Sequence, residues 1–156
     1  MDRSAWSGSD RGRPLTESGW RQALAIVAVL EDSPIVRFLA SPTVRCADTL
    51  LPAAHGRGLV VEELPFLFES NEPESVAAAG RWLQELTAIC LPGTTRAAAA
   101  CTHGNILVPV LTWATGSPVE RCPKGGVWRF DLNSRRELVA VEFAGVLNPR
   151  TGRWSR

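Results

Sequence analysis

The stretch that decides the fold is Ala97-Ala98-Ala99-Ala100-Cys101-Thr102-His103-Gly104-Asn105, followed at once by an apolar run over residues 106–111. Small residues that end in a polar cluster and continue into an apolar run are typical of a strand, a tight turn and the start of a helix. Alanine favours helices over strands, so residues 97–100 alone would predict a helix. Gly104 favours the turn, because glycine adopts backbone conformations that other residues resist. We therefore predict a strand with His103 at its carboxyl end, where α/β sheets place their sites; a capping or hydrogen-bonding role is the alternative for this histidine.

A second stretch has the same order of elements. Residues 35–40 predict a short strand, Ser41-Pro42 a turn, and a helix from Thr43 carries Arg45 in its first turn. Proline suits the first turn of a helix, because its fixed φ is already helical. This order aims Arg45 at the end of the sheet that carries His103. A surface arginine on the helix is the alternative.

Four segments together carry a family resemblance. They are Arg13-Pro14-Leu15-Thr16-Glu17-Ser18-Gly19 with Gln22-Ala23, Ser41-Pro42-Thr43-Val44-Arg45-Cys46-Ala47-Asp48-Thr49, Thr102-His103-Gly104, and Lys124-Gly125-Gly126-Val127-Trp128. In this order they resemble motifs of the histidine phosphatase superfamily, the phosphoglycerate mutase-like enzymes, and within it the small bacterial SixA-like branch.

The resemblance implies a three-layer α/β/α fold with a mixed central sheet, formed by residues 1–156 as a single domain that lacks the family's first strand. It also implies a phosphatase that hydrolyses phosphomonoesters or phosphohistidine through a phosphohistidine intermediate. Arg45 and His103 would bind the phosphate, and His103 and Glu69 would be catalytic. Neither a metal nor an organic cofactor is expected.

Phosphoryl transfer explains why these residue types would be needed. Its transition state spreads negative charge over three oxygens, so catalysis depends on positioning and on cationic groups. Arg45 suits this task because its planar fork grips two oxygens at once. Glu69 is the best match to the family's acid, which protonates the leaving oxygen. Glu72 and Glu74 are rivals, and a helix cap or a solvated carboxylate is the alternative for each of the three.

One departure from the family concerns the nucleophile, a histidine in an Arg-His-Gly or Arg-His-Ala motif. This sequence has two histidines, His55 and His103, and neither follows an arginine. If residues 43–55 form one helix, His55 lies about 15 Å along its axis from Arg45, too far to share a phosphate. We therefore expect the true start, with the motif and the first strand, to lie upstream, and the 156-residue chain alone to be poorly stable and nearly inactive. A non-catalytic phosphate-binding relic is the alternative.

Composition adds limits on the class of protein. The net charge of +1 gives no support to a nucleic-acid or membrane partner, and an arginine-driven nucleic-acid binder ranks last among the hypotheses. The cysteines at 46, 90, 101 and 122 lack metal-ligand spacing, which indicates reduced thiols in a cytoplasmic protein. No apolar run approaches the roughly 18 residues of a membrane span. The expected partner is a small phosphorylated substrate or a phosphoprotein, and the oligomeric state stays open.

The resemblance implies that residues 1–14, which alone would be taken for a disordered leader, form a loop near the phosphate site; Arg3, Arg11 and Arg13 are then either substrate contacts or solvated charges. Periodicity predicts the remaining elements. A helix capped by Thr16, a strand over 59–67, a helix over 74–90, a hairpin of 127–132 with 138–143, and an irregular tail over 144–156 follow. The expected buried faces are Trp20, Ala23, Leu24, Val27 and Leu30 on the first helix, and Val76, Leu83, Leu86 and Cys90 on the third.

Overall fold

The computed structural model of the chain describes residues 6–91, 96–148 and 150–155. This part of the chain contains four helices and six strands, which alternate as far as α4 and then end in three consecutive strands, and it also contains three short 3-10 turns. In order, they are α1 (Glu17–Leu30), β1 (Ile35–Ala40), α2 (Val44–His55), β2 (Val61–Glu63), α3 (Val76–Cys90), β3 (Ala97–Cys101), α4 (Gly104–Thr115), β4 (Val127–Leu132), β5 (Leu138–Leu147) and β6 (Trp154–Ser155); the 3-10 turns are Asp10–Gly12, Pro65–Leu67 and Glu69–Asn71.

The strands form two sheets. Parallel strands make a sheet of order β2-β1-β3, in which Phe38 of β1 lies opposite Val61 on one side and Ala99 on the other. The second sheet, of order β4-β5-β6, is antiparallel. The predicted α/β class is confirmed, with both parallel and antiparallel strands. Within the described residues, the parallel and antiparallel strands belong to two separate sheets, and β3 and β4 each lie at the edge of their own sheet.

Helices cover both faces of the parallel sheet, which confirms the three layers. Successive side chains of a strand point to opposite faces, so Leu39 lies on one side of β1 and Phe38 and Ala40 on the other. Leu39 packs with side chains of α3 and α4, whereas Phe38 and Ala40 pack with those of α1 and α2. Among the described helices, none is both long and apolar enough to cross a membrane.

The alanine run forms strand β3, as predicted, although alanine favours helices. Tertiary pairing with β1 and packing on both sides decide the outcome. Ala97 and Ala99 contact the core on the α2 side, and Ala98 contacts the core on the α3 side. Gly104 is not the reason for the turn that follows, because it is the first residue of α4 and its φ is not positive.

Helix α1 buries only part of the predicted face: Ala23 is buried, and Val27 and Leu30 pack against the core as expected. Its N-cap is Thr16, whose hydroxyl accepts a hydrogen bond from the Gly19 amide as expected. Ala23 and Ile26 are its buried residues, whereas Trp20 is 37% exposed and Leu24 is 61% exposed. Helix α1 has more apolar residues than the neighbouring elements cover, so a face predicted from periodicity alone is wider than the face that is buried.

Three further boundaries differ from the predictions. The strand predicted over residues 59–67 is only Val61–Glu63, because Pro65 begins a 3-10 turn. Helix α3 begins at Val76, which is 42% exposed and outside the core, whereas Leu83 and Cys90 are buried as expected. The predicted hairpin is confirmed, but the tail is not irregular: β5 continues to Leu147 and pairs with Trp154–Ser155.

Candidate active site

The carboxyl ends of β1 and β3 bring two turns together. Ala40 and Cys101, the last residues of these strands, are paired, and the Ser41 amide donates to the Cys101 carbonyl at 2.9 Å. Ser41 is fully buried, and its hydroxyl lies 2.7 Å from Nε2 of His103. The parallel register therefore places the residues that follow both strands at one edge of the sheet.

His103 occupies the N-cap position of α4, but its side chain makes no capping hydrogen bond. The ring instead contacts Ser41 through Nε2, and Nη2 of Arg45 lies 3.3 Å from Nδ1. A guanidinium only donates, so this contact requires an unprotonated Nδ1, and the ring proton then lies on Nε2 and is donated to Ser41. Burial and the neighbouring Arg45 charge lower the pKa of His103, which favours this neutral form.

Arg45 projects from the first turn of α2 toward the same edge, and its side chain is 17% exposed. Besides His103, its guanidinium contacts Asp10 twice. Nη2 lies 2.8 Å from the Asp10 carboxylate, and Nη1 donates to the Asp10 carbonyl at 2.6 Å. The same Nη2 lies 3.9 Å from the carboxylate of Glu69. One nitrogen of Arg45 therefore faces His103, Asp10 and Glu69 at once.

Glu69 comes closer to this centre than its rivals. Its carboxylate lies 3.8 Å from Nδ1 of His103 as well as near Arg45. Asn105, in the first turn of α4, donates to the Glu69 carbonyl and to the Glu72 carboxylate, both at 2.8 Å. Glu72 is thus engaged by Asn105, and Glu74 is exposed. Of the predicted site residues, the structure brings Arg45, His103 and Glu69 together.

Two arginines of the leading loop make contacts near the site, although Arg11 is also exposed to solvent. Arg13 lies 3.0 Å from the Asp10 carboxylate. Arg11 donates to the Pro42 carbonyl at 3.0 Å, and its guanidinium lies 5.3 Å from the centre of the Phe68 ring. Arg3 lies outside the described residues. His55 is exposed in the last turn of α2, away from this edge.

Sequence reasoning missed Asp10 and Ser41 as members of the site. Ser41 lies within a motif that the sequence displays, so its position next to Pro42 was an available signal. No comparable signal marks Asp10, because its contact with Arg45 joins residues far apart in the sequence. Both residues touch the groups that were predicted to bind phosphate.

A thiol pair lies behind Arg45. Cys46, also in the first turn of α2, is buried, and a hydrogen bond with the Cys101 thiol lowers the pKa of Cys46 to about 7. The same hydrogen bond, together with burial, raises the pKa of Cys101 well above its usual value. Across the described ranges, no three His, Cys, Asp or Glu side chains are grouped as metal ligands.

Comparison with known proteins finds similarity to one family. Residues 3–74, which include Arg45 and Glu69, match the histidine phosphatase superfamily (branch 1). The 8-oxo-(d)GTP phosphatase of Mycolicibacterium smegmatis is 30% identical over 151 residues, which cover 90% of this chain and 44% of that protein. The chain therefore spans less than half the length of this curated relative.

Solved structures share the fold. The protein histidine phosphatase SixA, complexed with tungstate, aligns with a TM-score of 0.64 and 21% identity over 90% of each chain. YhfR of Bacillus stearothermophilus aligns with a TM-score of 0.65 and 16% identity, over 84% of this chain and 85% of that one. At these identities, the structural alignments show a shared fold and nothing further. The chain is similar to the histidine phosphatase superfamily in sequence over residues 3–74 and shares its fold with solved structures such as SixA.

Proposed function

We propose that this chain binds the phosphoryl group of a phosphomonoester or a phosphohistidine at Arg45 and His103, as part of a phosphatase of the histidine type. The observation that carries the proposal is the convergence of a guanidinium, an imidazole and a carboxylate at the ends of β1 and β3. Electrostatic stabilisation of a phosphoryl group needs cations and hydrogen-bond donors that are already in place.

Each side chain has a distinct part in the proposed chemistry. Arg45 presents two terminal nitrogens on one edge, which suits two phosphate oxygens. His103 takes up a proton at Nδ1 when a phosphate dianion arrives, because the added negative charge offsets the burial and the Arg45 charge that keep the ring neutral. Glu69, within 4 Å of both, protonates the leaving oxygen.

The nucleophile limits the activity that we propose for the 156-residue chain. Histidine phosphatases attack phosphorus with a histidine of an Arg-His motif, and neither His55 nor His103 is part of such a pair. Removal of a covalent nucleophile lowers the rate by orders of magnitude. We therefore expect phosphate binding with weak or undetectable turnover from these residues alone. A non-catalytic role in binding a phosphorylated ligand is the second candidate, and the same binding site favours it.

The substrate class is also a proposal. We propose a small phosphorylated compound or a phosphoprotein of the cytoplasm as substrate, because the proposed groups, Arg45 and His103, would bind only its phosphoryl group. The name of the M. smegmatis relative adds 8-oxo-dGTP to the compounds that deserve a trial.

Two measurements on the 156-residue chain test these proposals. Calorimetric titration with inorganic phosphate should show binding that Arg45→Gln and His103→Gln each weaken at least tenfold, or about 1.4 kcal/mol. The matched control is Arg129→Gln, which removes an exposed arginine that is also paired with an aspartate. Equal weakening by the control, or no effect of the two site variants, would contradict the proposed phosphate site.

Turnover assays separate the two candidate functions. The chain is assayed on p-nitrophenyl phosphate, a phosphohistidine peptide and 8-oxo-dGTP, with and without His103→Gln. We expect turnover near the background rate. Rapid hydrolysis that His103→Gln abolishes would show that the nucleophile argument is wrong and would favour the enzyme over the binding role.

A further inference from the structure

Arg45 already holds a ligand, and that ligand is part of the chain itself. Nη1 of Arg45 donates to the Asp10 carbonyl at 2.6 Å, and Nη2 lies 2.8 Å from an Asp10 carboxylate oxygen. One residue thus supplies two oxygens to the two terminal nitrogens of one guanidinium. The two contacts imitate the bidentate arrangement in which arginine binds a carboxylate or a phosphate, with a backbone carbonyl in place of one of the two oxygens.

The occupied nitrogen is the one that faces the remainder of the site. Nη2 lies 3.3 Å from Nδ1 of His103 and 3.9 Å from the Glu69 carboxylate, so the Asp10 carboxylate stands on the side where a phosphoryl group would meet all three. A carboxylate that only braced Arg45 from behind would instead occupy a nitrogen turned away from His103. Asp10 and a phosphate oxygen therefore compete for one position.

The segment that carries Asp10 is held over the site by several contacts. Asp10 begins the 3-10 turn Asp10–Gly12, and Arg13 grips the other oxygen of its carboxylate at 3.0 Å. Arg11 is anchored outside the phosphate position, on the Pro42 carbonyl and against the Phe68 ring. These contacts stabilise the closed position, yet Asp10 stays 38% exposed in its side chain, so it has a path into solvent.

We infer that Asp10 is an internal occupant of the oxyanion site, and that a phosphoryl group binds Arg45 by displacing the carboxylate of Asp10. The inference rests on the proposed function, because it assigns Arg45 to phosphate. The Asp10 carboxylate would lower the affinity of the site for free phosphate. Ligands that make further contacts with the protein could supply the free energy needed to move the 3-10 turn and would bind in preference. A competitor built into the chain lowers the apparent affinity of every ligand by the fraction of time for which the site is blocked.

The first test is the substitution Asp10→Asn in the 156-residue chain, titrated with inorganic phosphate by calorimetry. The amide keeps the size of the side chain and removes its charge, and the backbone carbonyl stays. We expect phosphate to bind the variant about tenfold tighter, because it no longer has to displace a charged carboxylate from Arg45; a tenfold change corresponds to about 1.4 kcal/mol. The matched control is Asp131→Asn, which removes an aspartate paired with an exposed arginine at 2.8 Å far along the chain; it should leave the affinity unchanged.

The second test uses the unsubstituted chain, so it does not depend on how a variant folds. The amides of Gly12 and Arg13 donate to the carbonyls of Ser9 and Asp10 in the 3-10 turn. Hydrogen–deuterium exchange at these amides should speed up when phosphate is added, because displacement of Asp10 loosens the turn. Slower exchange would mean that phosphate tightens the turn, and would overturn the inference.

The outcomes separate this inference from the function on which it rests. If phosphate binds, Arg45→Gln removes the binding, and Asp10→Asn leaves it unchanged or weaker, then Asp10 positions Arg45 and the inference is wrong while the phosphate site stands. If neither the unsubstituted chain nor Asp10→Asn binds phosphate, the proposed function fails and the inference fails with it. Tighter binding by Asp10→Asn that Arg45→Gln abolishes supports both.

Discussion

Replacement of Ser41 by alanine should destabilise the folded chain through a single hydrogen bond. Ser41 is fully buried, and its hydroxyl lies 2.7 Å from Nε2 of His103, whose side chain is only 8% exposed. In the alanine variant the Nε2 proton loses its acceptor where water has little access. A buried donor left without a partner costs about 1 to 3 kcal/mol. Because total stabilities are about 5 to 15 kcal/mol, this is a measurable fraction.

Equilibrium unfolding in urea is the assay for this prediction, since a change in midpoint at constant slope reports a change in stability. The control is Ser117→Ala, the same chemical change at an exposed serine, which should stay within about 0.5 kcal/mol of the parent. A loss below about 0.5 kcal/mol for Ser41→Ala would refute the reasoning, because it would mean that the imidazole proton has another partner or lies on the other nitrogen.

Three further predictions follow from the same structure. The NMR titration of His103 should have its midpoint below the usual 6.5, and added phosphate should raise that midpoint. Because the lowered pKa means that the unfolded chain binds more protons than the folded one, the stability without phosphate falls as the pH is lowered through 6.5 toward the folded pKa. A midpoint above 6.5 without phosphate would contradict this prediction. In a pH titration followed by ultraviolet absorbance, the thiolate of Cys46 should appear with a midpoint at about pH 7, and the signal should be absent in Cys46→Ser. A signal that persists in Cys46→Ser would show that another cysteine produces it. Gly145→Ala should lower the thermal midpoint, because φ at Gly145 is +124° and an added Cβ would clash with the Trp154 ring, whereas Gly104→Ala, with open space around Gly104, should not. Equal midpoints for the two variants would contradict this expectation, because they would show that β5 and β6 adjust freely.

Local patterns predicted elements well where the pattern has one interpretation. The turn after residues 35–40, the N-cap at Thr16 and the hairpin that joins β4 and β5 need only local chemistry, and the structure contains all three. The exposed Trp20 and Leu24 show the limit of periodicity, because a pattern identifies apolar positions and not the neighbours that cover them. The extension of β5 and its pairing with Trp154–Ser155 depend on a contact that no local pattern reveals.

The candidate site divides in the same way. Arg45 and His103 stand in motifs directly after predicted strands, so their placement at one sheet edge follows from parallel topology. Glu69 was one of three acidic candidates, and its approach to within 4 Å of both residues depends on the 3-10 turn that carries it. The family resemblance favoured Glu69, but local chemistry could not separate it from Glu72 and Glu74, because all three lie in one acidic stretch.

By itself, the sequence determined the order of the α/β elements, the likeness to the histidine phosphatase superfamily, and the residue types available for binding a phosphoryl group. These follow from short-range rules: strands, turns and helix starts are set by neighbouring residues, and motifs keep their spacing along the chain. Only the tertiary structure decided that burial and the Arg45 charge lower the pKa of His103, that its ring contacts Ser41, and that Asp10 occupies the fork of Arg45. Both depend on burial and on contacts between residues distant in the chain, and these arise only when the sheet brings its turns together.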